Sequence, residues 1–431
     1  MRINAQEKLE IQAARSRFFA MAATYFLGVF NDNFFKQAAL LLAVIAGLSG
    51  LQGTATMLFS LPFILFSAYG GWFADRFPKR QVIIWVKFLE GAAMLVGAYG
   101  IITLSWNWIL AMVFLMGIQS TFFGPALNGS IPELYPSWYV TKANALLKLV
   151  TTTAILLGMA VAGIALDQHW FATDIPFGRL LVAVTVLSVA LGGIIAAFGI
   201  KRIESTKGHR PFPWAGPIVS LQESIKFRHD PPLLLAVIGN VYFYFLSLIA
   251  VMLINTMGLG ELKMSVTATS LLAVSLMVGV CAGALLAPII TSPERWSHVL
   301  GPASFGMGGC LFGAGVAAGM ELDLQWLLLL VSLMGAGFFG GIFLIPLTAF
   351  IQVRPDRDKK GQVIAAASFC AFSGMLIAGP TFTLLDNTFL PSSNMLLLGM
   401  FGMLSAVLFH TGSKVTNSSA SAREQARRNN A

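Results

Sequence analysis

A cluster of polar and charged side chains interrupts an apolar stretch near the start of the chain, GVFNDNFFKQAALLL at residues 28–42. Asp32 and Lys36 are four residues apart and therefore share one face of a helix, while Asn31 and Asn33 lie to either side of Asp32. A charge inside a bilayer costs about 2.5 kcal/mol or more, and such residues mark a path for a substrate or an ion by default. The alternative is an ion pair that only locks helices together, and the residues alone leave both interpretations open.

Further polar groups lie in the apolar segments that follow. They are, in chain order, Lys87, Glu90, Gln119, Asn128, Asn144 and Lys148. Beyond residue 200 no ionisable group lies deep in an apolar segment, although Asn240 is polar. The intramembrane charge therefore belongs to the first half of the chain. A polar, slightly cationic first half facing an apolar second half suits an amphiphile with a charged head and a hydrocarbon tail.

Twelve apolar stretches, each about 20 residues or longer, predict membrane-spanning helices that carry these groups. They cover roughly 18–47, 51–73, 81–104, 107–131, 139–166, 178–200, 232–257, 265–291, 297–320, 324–352, 362–385 and 391–411. The chain is 56% hydrophobic and 11% charged, far from the composition of a soluble domain. We therefore expect an all-α membrane protein with 12 transmembrane helices.

A long polar connection divides the twelve spans into six and six, and it contains the amphipathic piece SLQESIKFRHD, which predicts an interfacial helix. The predicted organisation has five parts. They are an N-terminal tail (1–17), a six-helix bundle (18–200), a central loop with the amphipathic segment (201–231), a second six-helix bundle (232–411) and a disordered tail (412–431).

The positive charges predict the orientation of the chain. Of the 28 Lys and Arg residues, 23 fall in the two tails and in connections on their side, two fall on the opposite side, and three lie inside spans. Cytoplasmic segments are enriched in Lys and Arg, so both termini and the central loop are predicted to be cytoplasmic. The net charge of +9 thus faces an anionic inner leaflet, and we expect no nucleic-acid partner.

Several function classes lack their sequence signals. The three cysteines lie in apolar stretches without metal-ligand or redox spacing, which predicts no metal site. We find no phosphate-binding loop or nucleotide motif, so we expect no cofactor, no direct use of ATP and no enzymatic reaction.

The layout of twelve spans, a central loop and both termini on one side resembles the major facilitator superfamily. The resemblance implies two six-helix halves, related by a pseudo-twofold axis, on either side of a central cavity. The stretch GGWFADRFPKR after the second span is similar to the superfamily's G-x-x-x-D-R-x-G-R-K loop, with Pro78 in place of the second glycine.

This loop predicts a cytoplasmic gate. Gly71 would let two helices approach closely, Asp75 would lie near a helix N-terminus, and Arg76 and Lys79 would pair with acidic groups on neighbouring helices in one state only. An ordinary positively charged loop is the alternative. The predicted gating residues are Gly71, Asp75, Arg76, Lys79, Arg80 and Glu133.

Four further stretches resemble the bacterial lysophospholipid transporter family within that superfamily. They are FNDNFFKQAALLL, GIQSTFFGPALNGSIPEL, TKANALLKLVTTTAILLG and GGIFLIPLTAFIQVRPDRDKKGQVIAAASF, and they follow the order of that family's first, fourth, fifth, and tenth and eleventh helices. The resemblance implies inward flipping of lysophospholipids, such as lysophosphatidylethanolamine, across the inner membrane for reacylation.

Some positions depart from the family's pattern, which has Lys-Tyr where this chain has Leu127 and Asn128, and Glu where it has Lys148. The family also has Asn at the position of Thr348 and at those of Ala367 and Ser368. We hypothesise that the cationic partner of a phosphate has moved from the fourth helix to the fifth.

The resulting prediction is an inner-membrane transporter that moves lysophospholipids from the outer to the inner leaflet by alternating access. It is expected to be monomeric, and any acyltransferase would be a separate cytoplasmic partner. The predicted substrate-binding residues are Asn31, Asp32, Asn33, Lys36, Gln119, Asn128, Asn144 and Lys148. The alternatives are a proton-coupled exporter of a small metabolite, siderophore or drug, with Asp32 as proton carrier, and a receptor or scaffold without turnover.

Overall fold

A computed structural model describes residues 5–135, 137–170, 175–200, 212–291, 296–320, 323–355 and 360–429. Within the helices, this description leaves out the side chains of 5–14, 16–17, 132–133, 137–138, 141, 360 and 415–429. All the regular elements in the described ranges are helical. They are α1 (Ala5–Ile45), α2 (Leu51–Arg76), α3 (Lys79–Thr103), α4 (Trp106–Leu134), α5 (Ser137–Leu166), α6 (Phe177–Phe198), α7 (Gly216–Lys226), α8 (Pro231–Asn255), α9 (Val266–Ile290), α10 (Leu300–Ala318), α11 (Gln325–Val353), α12 (Lys360–Asp386) and α13 (Pro391–Asn429).

Each of the twelve predicted spans coincides with one long helix, namely α1 to α6 and α8 to α13. In the described part of the chain, eleven helices are long and apolar enough to cross a membrane. The helix of the twelfth predicted span is α1, and the polar stretch between Asn31 and Gln37 lowers its mean hydropathy. The predicted all-α fold with twelve membrane helices is confirmed.

Two helices extend beyond the predicted spans. α1 begins at Ala5 and α13 continues to Asn429, where the sequence predicted an N-terminal tail and a disordered C-terminal tail. The prediction of disorder after residue 411 disagrees with this helix. The segment that follows Gly412 contains no further glycine or proline and includes several Ala and Arg residues, which have high helix propensity.

The predicted amphipathic segment forms α7, which a short 3₁₀ turn over Phe227–His229 connects to α8. Its apolar residues Ile218, Val219, Leu221 and Ile225 are exposed, as expected for a helix at a membrane surface. Residues 201–211 of the predicted central loop lie outside the described part of the chain.

The helices form two compact units. The first comprises residues 1–42 and 58–217, and the second comprises residues 43–57 and 218–431. The helix α2 is shared, because its first turns belong to the second unit. The boundary after residue 217 falls within the predicted central loop.

Glycines bring the helices of the first unit close together around α1. A Cβ atom on Gly158 of α5 would lie 2.7 Å from the carbonyl oxygen of Phe30 in α1. A Cβ atom on Gly117 of α4 would lie 2.6 Å from the carbonyl oxygen of Phe59 in α2. Small residues permit such backbone contact between membrane helices. The first contact holds α5 beside the polar stretch of α1, and the second holds α4 against α2.

The second unit packs in the same way, but none of its described charged side chains is fully buried. Gly283 of α9 faces the carbonyl oxygen of Phe338 in α11, and Gly308 of α10 contacts the backbone of α13 at Gly399. Its polar contacts include an amide pair, in which Asn255 donates from Nδ2 to Oε1 of Gln52 at 3.0 Å. This contact joins the first turns of α2 to the end of α8.

Candidate functional site

The carboxylate of Asp32 is the centre of a polar cluster between α1 and α4. Nε2 of Gln119 lies 3.2 Å and 3.1 Å from its two oxygens, and the Ser120 hydroxyl donates to Oδ2 at 2.8 Å. Asp32 is partly buried, and Gln119 is 2% exposed. The predicted residues Asp32 and Gln119 are therefore brought together across 87 positions of sequence.

The cluster retains hydrogen-bonding capacity that the protein does not use. Oε1 of Gln119 is buried and has no hydrogen-bond partner in the described part of the chain. A buried acceptor without a donor is costly unless a ligand or water supplies one. This oxygen and the Asp32 carboxylate together form an acceptor site for a ligand that carries N–H or O–H groups.

Lys36 lies near this cluster without forming an ion pair with it. Its Nζ atom is 4.9 Å from the centre of the Phe59 ring of α2, within the range of a cation–π interaction. Asp32 and Lys36 attract each other electrostatically, but no carboxylate of the described residues lies within 4 Å of Lys36 Nζ. Because Gln119 and Ser120 draw the carboxylate toward α4, the Lys36 ammonium remains available to an anionic group.

Two other predicted members of the cluster face different neighbours. Asn31 is fully buried and donates from Nδ2 to the carbonyl oxygen of Val186 in α6 at 3.1 Å. Asn33 donates to the carbonyl oxygen of Val29 in its own helix at 2.8 Å, and its Cβ atom faces Gly158 of α5. A rotation of about 100° per residue turns both amides away from the face of Asp32. Asn31 and Asn33 therefore have other neighbours than Asp32, and their role in substrate binding stays a prediction.

The remaining predicted binding residues are exposed. Asn144 and Lys148 are one turn apart and share a face of α5, and Asn128 lies near the end of α4. Among the described side chains, Lys148 has no ion-pair partner. No contact links these three residues to the Asp32 cluster, while Leu127, the other departure from the family pattern, is fully buried.

Sequence reasoning missed two residues of the cluster, Ser120 and Phe59. Ser120 follows Gln119 directly, but single hydroxyl groups are frequent in membrane helices and gave no distinct signal. Phe59 is one of 34 phenylalanines, and nothing in its sequence context relates it to Lys36.

A second charged pair in the same unit is sealed inside the protein. Lys87 and Glu90 form an ion pair of 2.6 Å, and each is 1% exposed. Nζ of Lys87 lies 5.2 Å from the centre of the Phe123 ring. A Cβ atom on Gly28 of α1 would lie 2.6 Å from the same Nζ atom. This pair therefore holds α3 against α1 and α4 and offers no surface to a ligand.

The loop between α2 and α3 agrees only partly with its predicted gating geometry. A Cβ atom on Gly71 would meet nothing within 4 Å, so the prediction that this glycine permits close helix approach is wrong. The neighbouring Gly70 has that role, since its Cβ position is 2.5 Å from the carbonyl oxygen of Thr121 in α4. The side chain of Glu133 lies outside the described residues.

The cations of this loop have different environments. Arg80 donates from Nε to the carbonyl oxygen of Ile200 at 2.5 Å and from Nη2 to that of Phe198 at 3.3 Å, and it thus satisfies carbonyl groups at the end of α6. Lys79 is buried, and its Cε atom lies against Gly129 of α4. Asp75 and Arg76 are exposed.

The residues of these sites form no metal centre. Among the described residues, no group of three or more His, Cys, Asp or Glu side chains could hold a metal ion.

Comparisons with known proteins give the context of this geometry. The sequence profile of the Major Facilitator Superfamily matches residues 17–380. A lysophospholipid transporter, LplT, of Klebsiella pneumoniae is 27% identical over 372 residues, which cover 83% of this chain and 86% of the relative. LplT of Shigella sonnei is also 27% identical, over 377 residues, with the same coverage. The crystal structure of a D-xylose-proton symporter matches this chain with a TM-score of 0.71 and 14% sequence identity. The match covers 91% of this chain and 96% of the symporter chain, and at this identity it shows similarity of fold alone.

Proposed function

Because this chain belongs to the major facilitator superfamily, we propose that it is an alternating-access transporter that moves lysophospholipids across the bacterial inner membrane. The observation that carries the proposal is the Asp32 cluster. It combines a carboxylate with a buried amide oxygen and a Lys36 ammonium group, neither of which has a polar partner among the described side chains. The similarity to the two LplT proteins supports the same class of substrate.

The cluster matches the headgroup of a zwitterionic lysophospholipid. The phosphate carries a negative charge and would pair with Lys36, since charge-assisted hydrogen bonds to phosphate are strong. The ammonium group of an ethanolamine head donates N–H groups, which the Asp32 carboxylate and Oε1 of Gln119 would accept. The two parts of the headgroup thus find complementary partners about one helical turn apart on α1.

Lys148 is the second candidate for the phosphate. It is exposed on α5 and has no ion-pair partner in the described part of the chain. It stands where the related family has Glu, and Leu127 stands where that family has Lys. A substrate phosphate could thus pair first with Lys36 and then with Lys148, two cations of the same unit.

Lysophospholipid would enter from the outer leaflet and leave toward the inner leaflet for reacylation. The 23 cations of the tails and of the connections on their side support an arrangement with both termini in the cytoplasm. Reacylation would require a separate acyltransferase, because this chain carries the lipid without a chemical step. The protein is expected to act as a monomer and without a cofactor.

The test is uptake of headgroup-labelled lysophosphatidylethanolamine by spheroplasts. Lys36→Ala should reduce the initial rate about tenfold, which corresponds to the loss of one charge-assisted contact. Lys148→Ala should reduce it less. The matched control is Lys226→Ala, which removes an exposed ammonium of α7 and should leave the rate unchanged. Undiminished uptake in both Lys36→Ala and Lys148→Ala would exclude the phosphate role.

The same assay separates the proposal from a proton-coupled exporter of a small metabolite, siderophore or drug. That alternative predicts transport that follows the pH gradient and does not respond to lysophospholipid. The comparisons do not favour it, because the two relatives that are 27% identical to this chain are named as lysophospholipid transporters.

A further inference from the structure

A groove of about 760 Å³ lies in the first unit between the beginnings of α1 and α5. Residues 15–27 of α1 and residues 139–150 of α5 form its walls, together with Tyr135. We call it the α1–α5 groove. Asp32 is five residues beyond Leu27, the last lining residue of α1, and is therefore rotated by about 140° from it. The groove thus lies on another face of α1 than the Asp32 cluster.

One end of the groove is cationic. Arg15 is hydrogen-bonded to Tyr139, and Nζ of Lys142 lies 5.8 Å from the centre of the same ring. Arg15 and Lys142 are both exposed, and no carboxylate among the described side chains lies within 4 Å of either. Two positive charges therefore meet around one tyrosine without a described anionic partner.

The polar groups at this end remain hydrogen-bond donors at physiological pH. The bond to Tyr139 raises the pKa of Arg15 above its ordinary value, so the guanidinium stays charged. Burial raises the pKa of Tyr135 to about 12, so its hydroxyl stays protonated. An anionic ligand would therefore meet the charged guanidinium of Arg15 and the hydroxyl of Tyr135 as donors.

The rest of the groove is apolar. From Phe18 to Leu27 it follows α1 for about 14 Å at the helical rise of 1.5 Å per residue. Ala22 and Ala23 keep the wall of α1 low, while Leu146 and Val150 of α5 form the opposite wall. This apolar lining suits a hydrocarbon chain.

We propose that the α1–α5 groove binds one lysophospholipid molecule, with its phosphate between Arg15 and Lys142 and its single acyl chain along the apolar walls. The argument is charge complementarity at one end and an apolar lining for a hydrocarbon chain at the other. The choice of a lysophospholipid rests on the proposed function. The groove is then a second lipid site, at the side of the membrane where the cationic segments lie and where the transported lipid is released.

The experiment counts bound lipid by native mass spectrometry of the full-length protein, titrated with palmitoyl lysophosphatidylethanolamine. The wild type should hold two molecules, one at the Asp32 cluster and one in the groove. The double variant Arg15→Gln/Lys142→Gln should lose one of them, with an affinity about tenfold lower for that site. The variant Ala23→Phe, which fills the groove without changing its charge, should lose the same molecule.

The control is the double variant Lys226→Gln/Lys414→Gln, which removes two exposed cations outside the groove and should retain both lipids. Binding equal to that of the wild type in Arg15→Gln/Lys142→Gln and in Ala23→Phe would overturn the inference. Equally tight binding of a two-chain phosphatidylethanolamine in the groove would overturn the assignment to a single-chain lipid.

Spheroplast uptake by the same variants separates this inference from the proposed function. If the wild type takes up no lysophospholipid but the groove variants still lose one bound molecule, the proposed function fails and the groove site stands. If the wild type transports and the groove variants bind as it does, the groove site fails and the function stands.

Discussion

The first unit contains two charged regions of opposite character, the Asp32 cluster and the Lys87–Glu90 pair. At Lys87 and Glu90 the charges neutralise each other at 2.6 Å and are 1% exposed. At Asp32 the carboxylate is held by Gln119 and Ser120, while the nearby ammonium of Lys36 lies over a phenylalanine ring. Both regions place a cation and a carboxylate within four residues on one helix.

The difference shows that charge in a membrane helix does not by itself identify a binding site. In the sealed pair Lys87 contacts one oxygen of Glu90, while Oε1 of Glu90 is buried without a hydrogen-bond partner among the described residues. Breaking the pair would leave a buried charge without its counter-ion. A cluster with an unpaired cation and a free acceptor can exchange partners with a ligand. We therefore expect variants of the Asp32 cluster to affect transport and variants of the Lys87–Glu90 pair to affect stability.

The largest effect is expected for Lys87→Met, which leaves Glu90 buried without its cation. The cost should be about 3–5 kcal/mol in the free energy of unfolding. It is measured as a fall of several degrees in the thermal midpoint, followed by tryptophan fluorescence. The same change at the other region, Lys36→Met, should lower the midpoint much less. Equal losses for the two variants would remove the distinction between the regions.

The next effect concerns transport. Asp32→Asn keeps the shape of the side chain but removes the charge that would bind an ammonium headgroup. Uptake of lysophosphatidylethanolamine should fall about thirtyfold, which corresponds to about 2 kcal/mol, while the thermal midpoint stays near that of the wild type. The control Asp323→Asn changes an exposed carboxylate and should transport normally. Normal uptake by Asp32→Asn would show that the carboxylate does not contact the substrate.

A smaller effect is expected for Gly28→Ala, which tests how tightly the Lys87–Glu90 pair is packed. The new methyl group would lie 2.6 Å from Nζ of Lys87 and would displace the ammonium from its place beside Glu90. The free energy of unfolding should fall by about 1–2 kcal/mol. Gly192→Ala is the control, because its Cβ position makes an ordinary contact of 3.6 Å with Leu27. A neutral Gly28→Ala would indicate spare room around the pair.

The smallest effect is expected for Ser120→Ala, which removes one of the hydrogen bonds to Asp32. Gln119 would still hold the carboxylate, so the uptake rate should fall only about threefold, in line with a neutral donor worth about 0.5–1.5 kcal/mol. Ser130→Ala removes a hydroxyl that bonds to its own helix at Ala126 and serves as control. A loss as large as that of Asp32→Asn would mean that Ser120 itself contacts the substrate.

The helices could be predicted almost completely from the sequence. The bounds of α2 and α6 agree with the predicted spans within three residues, because about 20 consecutive apolar residues are both necessary and sufficient to cross a bilayer. The helix α1 could be recognised even though its polar stretch lowers its hydropathy. The helical ends after Gly412 and before Phe18 were missed, because polar segments carry no membrane signal.

The candidate site was predicted only in part. The residue types around Asp32 indicated which side chains could bind a headgroup, and Gln119 was among them. The sequence could not show that Asn31 bonds to α6 or that Ser120 bonds to Asp32, since both contacts join residues more than 80 positions apart.

The sequence by itself determined the number of membrane helices, their bounds and the half of the chain that carries the charge. These properties follow from local hydrophobicity, and each helix satisfies its own backbone hydrogen bonds within the bilayer. Only the tertiary structure decided which charges are sealed and which remain open. That choice depends on how closely helices approach at glycines such as Gly28 and Gly158 and on how each helix is rotated, which are set by contacts between segments far apart in the chain.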